Sequence, residues 1–410
     1  MAERTTDASF VYLDTVPAVE ALTARIAGAK EIALDTEGAS FHRFVDRIYL
    51  LQLSTRDTHA VIDPLPIGRP TGLGKLLEDP SVEVVFHDAD YDLRLLEQDY
   101  GWKIRHIFDT RIAAQLLGYT AFGLAALLER FFGVKLDKKH QRADWSMRPL
   151  TADMLDYAAQ DTRYLLDLKV RMSAELERMG RMAWAREEFA LLEGTRWADE
   201  EPGSAFLKLK GARDLSRREL AVLREIVPWR EGVARQLDRA TFRVLGNEQL
   251  LEISRTQPRT RDALGKIKGM PRGILDQRGS ELLDAVTRAL GVPEAELPRF
   301  PKAARWDRDP DFDARVSALK TARDEAAKRL ALDPGVLCSR DRMEAVARRN
   351  PATVAEVLEV TELRRWQANE LAPAFVAALE PHRKAAGEKK PPRTPKAKRA
   401  PAEDQSPYSD

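Results

Sequence analysis

Cysteine occurs once in the chain, at Cys338, which excludes an internal disulfide and any cysteine cage for zinc. A small buried thiol in a reducing compartment is the expected reading. Long apolar runs are also missing. The longest uncharged stretch, Ile112–Leu128, is interrupted by Gly118, Tyr119 and Gly123 and is too short to span a bilayer. Residues Met1–Phe10 lack the basic start and apolar core of a secretory leader. No membrane partner and a cytoplasmic location are therefore expected. One-sided charge is scarce as well, since 66 Lys and Arg face 65 Asp and Glu for a net charge of +1. Its distribution is uneven. Residues 383–400 hold eight basic side chains against Glu388 alone, a local charge of +7 that leaves −6 for the remainder. A Pro-rich basic tail over 383–410 follows a slightly acidic body; such tails are disordered and attract phosphate without sequence preference, or simply aid solubility.

With 410 residues, 44% hydrophobic and 32% charged, the chain has length for several globular domains rather than one core. The first ~195 residues alternate strand-like and helix-like patterns. Glu31–Glu37, Ile48–Ser54, His59–Asp63, Val82–His87 and His106–Phe108 read as strands, the first three joined like a meander. Helical periods follow at Tyr91–Tyr100 and at about 110–118, 123–132, 151–179 and 181–193. A sheet covered by helices is implied for a first domain over 1–200. Beyond about 205 the strand signals vanish. Arg230–Pro258 parallels Arg323–Pro351 at an offset of 93, with Leu237 matching Leu330, Leu250 matching Met343 and Ile253 matching Val346. Two copies of one helical domain are expected, at 208–292 and 302–381.

Three short elements carry chemistry. In Leu34-Asp35-Thr36-Glu37-Gly38, side chains at i and i+2 of a strand share a face, so Asp35 and Glu37 project together. Close carboxylates raise each other's pKa unless a cation neutralises them, and oxygen ligands suit Mg²⁺ or Mn²⁺. In Phe86-His87-Asp88-Ala89-Asp90-Tyr91-Asp92, Asp92 sits in the first turn of a helix. In Tyr157-Ala158-Ala159-Gln160-Asp161, the phenol and the carboxylate share a helix face. Singly, each has an ordinary structural explanation: a solvated strand end, a helix-capping acid, a Tyr–Asp contact. Asp109 is assigned to capping, and His87 to a structural bond.

Taken together, Asp-x-Glu, then Asp92, then Tyr-x₃-Asp resemble the three exonuclease motifs of the DEDD superfamily, in the branch with tyrosine in the third. The string Arg142, Asp144, Trp145, Arg148, Pro149 and Leu150 ahead of Tyr157 and Asp161 narrows the resemblance to the ribonuclease D family, and the repeated half resembles its tandem HRDC domains. The resemblance covers roughly residues 10–382. It implies an α/β ribonuclease H-like catalytic domain, a mixed sheet covered by helices, followed by two all-α HRDC-like domains. It further implies a metal-dependent 3′→5′ exoribonuclease that releases nucleoside monophosphates and matures tRNA 3′ ends. Asp35, Glu37, Asp92 and Asp161 would bind two divalent cations, Mg²⁺ or Mn²⁺, and Tyr157 would orient the attacking water. RNA, precursor tRNA in particular, is the expected partner, and no small-molecule organic cofactor is expected. Substrate contacts are expected from Phe41 and His42, from Trp145 and Arg148, from Lys138, Lys139 and Arg142, and from Lys266 and Lys268 in the loop Gly265–Arg272 of the first helical copy. Two alternatives stay open: the same chemistry on single-stranded DNA, and a catalytically dead binding module. The complete acid set weighs against the second.

Overall fold

The computed structural model describes residues 10–387 apart from 138, 198–202 and 302–308. Lys138 and the tail from 388 onward lie outside the described residues. The chain divides into two units, residues 1–307 with 331–336, and residues 308–330 with 337–410.

The first unit opens with a six-stranded mixed sheet. Its strands are β1 (Val11–Leu13), β2 (Glu31–Glu37), β3 (Leu50–Ser54), β4 (His59–Ile62), β5 (Glu83–Phe86) and β6 (Ile107–Asp109). They run in the order β1-β4-β3-β2-β5-β6. The expected meander is there: β2, β3 and β4 pair antiparallel, while β5 joins β2, β6 joins β5 and β1 joins β4 in parallel. Alternation along the strands builds two apolar faces. Ile32, Leu34, Leu51, Leu53 and Ile62 share one buried cluster with Val19, Leu22, Leu73 and Leu95. These come from the helices Val16–Ile26, Thr71–Leu77 and Asp90–Tyr100. On the opposite face Leu50 and Val61 pack against Trp145, Ala158 and Ala159.

Two features depart from the sequence pattern. Strand β1 gives no sequence signal, because it has only three residues, none of them buried; the Val16–Ile26 helix, with Val19, Leu22 and Ile26 on its buried face, is not among the expected elements. The single helical period over 151–179 is two helices, Ala152–Arg163 and Leu165–Arg178. At Tyr164 the backbone N–H turns to the Thr162 carbonyl, interrupting the i→i−4 ladder while the apolar spacing continues across the break.

The rest of the first unit is helical, built on Arg217–Leu237, Asn247–Thr256, Arg261–Gly265 and Arg272–Leu290. Leu223, Ile226, Leu250, Ile253, Leu282 and Val286 fill its core. The second unit uses the same parts: Phe312–Leu330, Arg340–Arg349, Val354–Leu358 and Arg365–Gly387. Details repeat with them. Gln257 and Asn350 both end a helix in the left-handed region at φ 47°. Thr260 and Thr353 both cap the next helix by accepting a bond of 3.2 Å from a backbone N–H. Buried Arg230 donates to the Leu245 carbonyl at 3.1 Å, and buried Arg323 to the Cys338 carbonyl at 3.0 Å. Each guanidinium satisfies a carbonyl that would otherwise be lost inside the domain.

Candidate active site

Strands β2 and β5 are parallel neighbours, yet the chain leaves β2 towards β3 on one side and β5 towards β6 on the other. Such a switch point opens a crevice at the carboxyl ends of the strands. Asp35 and Glu37 stand at that end of β2, opposite Gln52 and Leu50 of β3. The helix Ala152–Arg163 lies across the same face, pinned by a 2.7 Å bond between Ser54 Oγ and Thr162 Oγ1 and by Ala158 and Ala159 in the core. Asp161 is thereby brought down onto the strand. One carboxylate oxygen from each of Asp35, Glu37 and Asp161 lies within 4.8 Å of the others. Asp92 approaches from the helix on the other face and is 5% exposed. Its Oδ1 accepts from the Thr36 backbone N–H at 3.0 Å and from Thr36 Oγ1 at 2.5 Å. It stands beside the trio without joining that 4.8 Å group.

The electrostatics are those of an uncompensated anionic pocket. Burial, and then the charge of Asp161, holds Asp35 well above the usual carboxylate range. Glu37 is raised by burial and by Asp35, Asp161 and Asp92; Asp92 is raised by burial and by Asp35. Asp161 is pushed up to about 7, by burial first and by Asp92 second. Among the described residues no lysine or arginine relieves them. Asp92 is buried and Asp35, Glu37 and Asp161 are partly buried; four such carboxylates gathered together are a site for hard divalent cations, so the donor set fits such a metal. Tyr157 lies one turn before Asp161, its ring 6.1 Å from that of Trp145 and 6.0 Å from that of His140. Burial and the charges of Asp161, Glu37 and Asp35 raise its pKa far above the ordinary tyrosine value. The group is a neutral phenol, not a base.

Phe41 and His42 sit on the segment that follows β2. Phe41 is 47% exposed, and His42 Nε2 lies 3.1 Å from the Arg142 carbonyl. Among the other expected contacts of this domain, Trp145, Arg148 and Lys139 have structural occupations. Trp145 is 1% exposed and packs against Leu50 and Ala158 instead of reaching solvent. Arg148 donates to Tyr49 O at 2.8 Å and to Asp63 Oδ1 at 2.7 Å, holding the loop to the sheet; its guanidinium is committed to the fold. Lys139 pairs with Asp153 at 3.4 Å. Asp109 caps its helix, accepting from Arg111 N and Ile112 N, and His87 Nδ1 bonds to Thr110 Oγ1 at 2.9 Å. Lys266 and Lys268 line a cleft of about 650 Å³ in the first helical domain. There Gly269 has a φ of +78° and a Cβ would strike the Gln249 amide at 2.5 Å.

Two residues of the site gave no sequence signal. A Cβ on Gly38 would collide with the Tyr91 hydroxyl and come within 2.8 Å of Asp46 Oδ1. Glycine there lets the Tyr91–Asp46 hydrogen bond lie directly against the end of β2. Gln52 is fully buried beside Asp35, and neither its Nε2 nor its Oε1 has a partner among the described residues. A desolvated, unbonded amide is destabilising by roughly 1–3 kcal/mol. The near-isosteric Gln52→Leu is therefore expected to stabilise the metal-free protein by about 1–2 kcal/mol, read as a higher urea midpoint at unchanged slope. A lower midpoint would mean that the amide is satisfied in solution.

The 3′-5′ exonuclease family matches residues 10–177, and the HRDC domain matches residues 219–286 and 312–379. A curated ribonuclease D of Granulibacter bethesdensis is 33% identical over 319 residues, covering 77% of this chain and 80% of its own length. The crystal structure of Escherichia coli RNase D, described as an exoribonuclease involved in structured RNA processing, aligns with a TM-score of 0.71 at 27% identity, over 92% of this chain and all of that one. The catalytic core of RRP6 from Trypanosoma brucei aligns at 0.61 and 32% identity, over 68% of this chain and 79% of its own. A mixed-sheet exonuclease domain is thus followed by two helical HRDC domains, and the chain belongs to the ribonuclease D family of 3′→5′ exoribonucleases.

Proposed function

We propose that the chain shortens RNA from its 3′ end by releasing nucleoside monophosphates one at a time. Asp35, Glu37, Asp92 and Asp161 would hold two divalent cations, Mg²⁺ or Mn²⁺. The observation that carries this reading is the gathering of Asp35, Glu37 and Asp161 within 4.8 Å beside the neutral phenol of Tyr157. When bound, divalent cations supply activation of the attacking water and stabilisation of the leaving 3′ oxygen. The protein's own groups do the rest. The four carboxylates fix where charge is held, and the phenol of Tyr157 orients the water along the line of attack. The helix Ala152–Arg163 keeps Tyr157 and Asp161 in fixed relation one turn apart.

Precursor tRNAs and other small structured RNAs are the proposed substrates. The description of the Escherichia coli relative as a processor of structured RNA supports this class. A cytoplasmic location fits the same reading. Cys338 is buried and unpaired, and among the described residues no helix is long and apolar enough to cross a membrane.

The test is a ladder. A 5′-labelled RNA incubated with Mg²⁺, Mn²⁺ or EDTA is expected to shorten stepwise only with metal, and matched DNA run in parallel measures the sugar preference. A full-length label that persists with every metal would reject the reading. Lys266 and Lys268 are expected to bring the first helical domain into RNA affinity, ahead of the second, which has Glu362 in the corresponding loop. The double change Lys266→Ala and Lys268→Ala should flatten the plot of log affinity against log salt by roughly 1.4, about 0.7 per lost phosphate contact on a single strand. An unchanged slope would remove these lysines from the interface.

A further inference from the structure

Past Glu37 the chain leaves the sheet and runs along the seam between the catalytic domain and the first helical domain. Both sides grip it. On the catalytic side Arg43 Nε donates to Ser146 Oγ at 2.6 Å and Ala39 N–H to Asp46 Oδ1 at 3.2 Å. On the helical side Ala240 N–H donates to the His42 carbonyl at 3.3 Å, Phe44 N–H to Asp238 Oδ1 at 3.3 Å, and Arg243 Nε to the Phe41 carbonyl at 2.5 Å. A backbone bonded this densely has little freedom, so the direction of its side chains is fixed.

Against that background two phenyl rings stay in solvent. Phe41 is 47% exposed and Phe242, from the helical domain, is 51% exposed. They meet edge to face with centroids 5.9 Å apart and planes at 77°. Large aromatics at a domain seam are ordinarily buried in it, and an exposed apolar cluster marks a binding surface. The surrounding charge identifies the kind of ligand. The Arg142 guanidinium lies 5.4 Å from the Phe41 centroid, and Arg243 stands beside Phe242 in the chain. Arg43 is engaged by Asp238 and Asp144. Along the chain Arg142 follows His140 by two residues, and the His140 ring lies 6.0 Å from that of Tyr157. Exposed rings interleaved with guanidinium groups are the chemistry that holds unpaired bases on a phosphate backbone.

We infer that Phe41 and Phe242 form a composite stacking platform for one unpaired nucleotide upstream of the RNA 3′ end. Arg142 and Arg243 meet the adjoining phosphates. The inference rests on the exonuclease reading and adds a specificity to it. Duplex bases hide their faces, so only a single-stranded 3′ tail long enough to reach from the acids to the seam gains this contact. Each domain supplies one ring; the platform exists only when both are present.

The test couples a missing base to a missing ring. RNAs carrying one abasic nucleotide at each of the second to sixth positions from the 3′ end are assayed for KM with the full chain and with Phe242→Ala. With the unmodified chain one position is expected to raise KM about tenfold, the effect of one lost base–aromatic stack. With Phe242→Ala intact RNA should already show that rise, the same abasic site should add nothing, and kcat should stay within about twofold. Phe242→Tyr should restore the discrimination. If every abasic position weakens both proteins equally, or if Phe242→Tyr behaves like Phe242→Ala, the platform is refuted while RNA shortening stands. If intact RNA is not shortened with any divalent metal, it is the exonuclease reading that fails.

Discussion

Asp161→Asn is expected to lower RNA turnover by at least about a thousandfold and at the same time to raise the stability of the metal-free protein. The two effects have one cause. Asp161, Asp35 and Glu37 are held within 4.8 Å, and burial together with neighbouring charge lifts all of them, Asp161 to about 7. Converting one acid to an amide removes a partly buried charge and a ligand in the same step. The repulsion falls, and with it the capacity to hold a divalent cation. Asp35→Asn should behave alike. Turnover is followed on labelled RNA, stability by thermal melts in EDTA. Near-normal turnover in either variant would remove that acid from the catalytic set. Loss of turnover with a lower melting temperature would instead mark a structural role.

The second expected result concerns pH. An unfolded aspartate titrates near 3.9, whereas folded Asp161 is raised to about 7, and Asp35, Glu37 and Asp92 shift in the same direction. Between those values the folded state binds more protons than the unfolded one, so stability falls as pH rises. The contribution is fully present below about pH 4 and is lost as pH passes through about 7. In EDTA the melting temperature is therefore expected to decline across pH 5–8, by an amount of the order of a few kcal/mol in stability. Saturating Mn²⁺ should reverse the trend, because a cation that binds deprotonated carboxylates stabilises more as protons leave. A flat EDTA profile that Mn²⁺ leaves unchanged would contradict the buried anionic pocket.

Much of this architecture was legible in the residues. The i, i+2 spacing of Asp35 and Glu37 put both on one face of a strand, and the register places them opposite Gln52 and Leu50. Local patterns also marked five of the six strands, because strands buried on both faces have a strong apolar signature. What stayed hidden depends on partners distant in the chain. Trp145 and Arg148 are residue types that often bind bases and phosphates. Their burial and pairing come from Leu50, Tyr49 and Asp63, which no local pattern connects to them. Phe242 looks like an ordinary helical apolar residue until folding sets it beside Phe41. Gly38 carries no local cue, and only the Tyr91–Asp46 bond gives its missing side chain a reason.

Because two of the acids belong to β2, their aim is tied to how that strand is threaded between β3 and β5. Side chains on a strand alternate faces, so a slip of a single residue would turn both carboxylates through the sheet towards Leu93 and Leu95. A one-residue insertion inside Glu31–Glu37 should thus leave no half-working enzyme. Length changes beyond Ser54, between β3 and β4, would spare the cage. The strand behaves as a ruler that cannot be cut at intermediate marks.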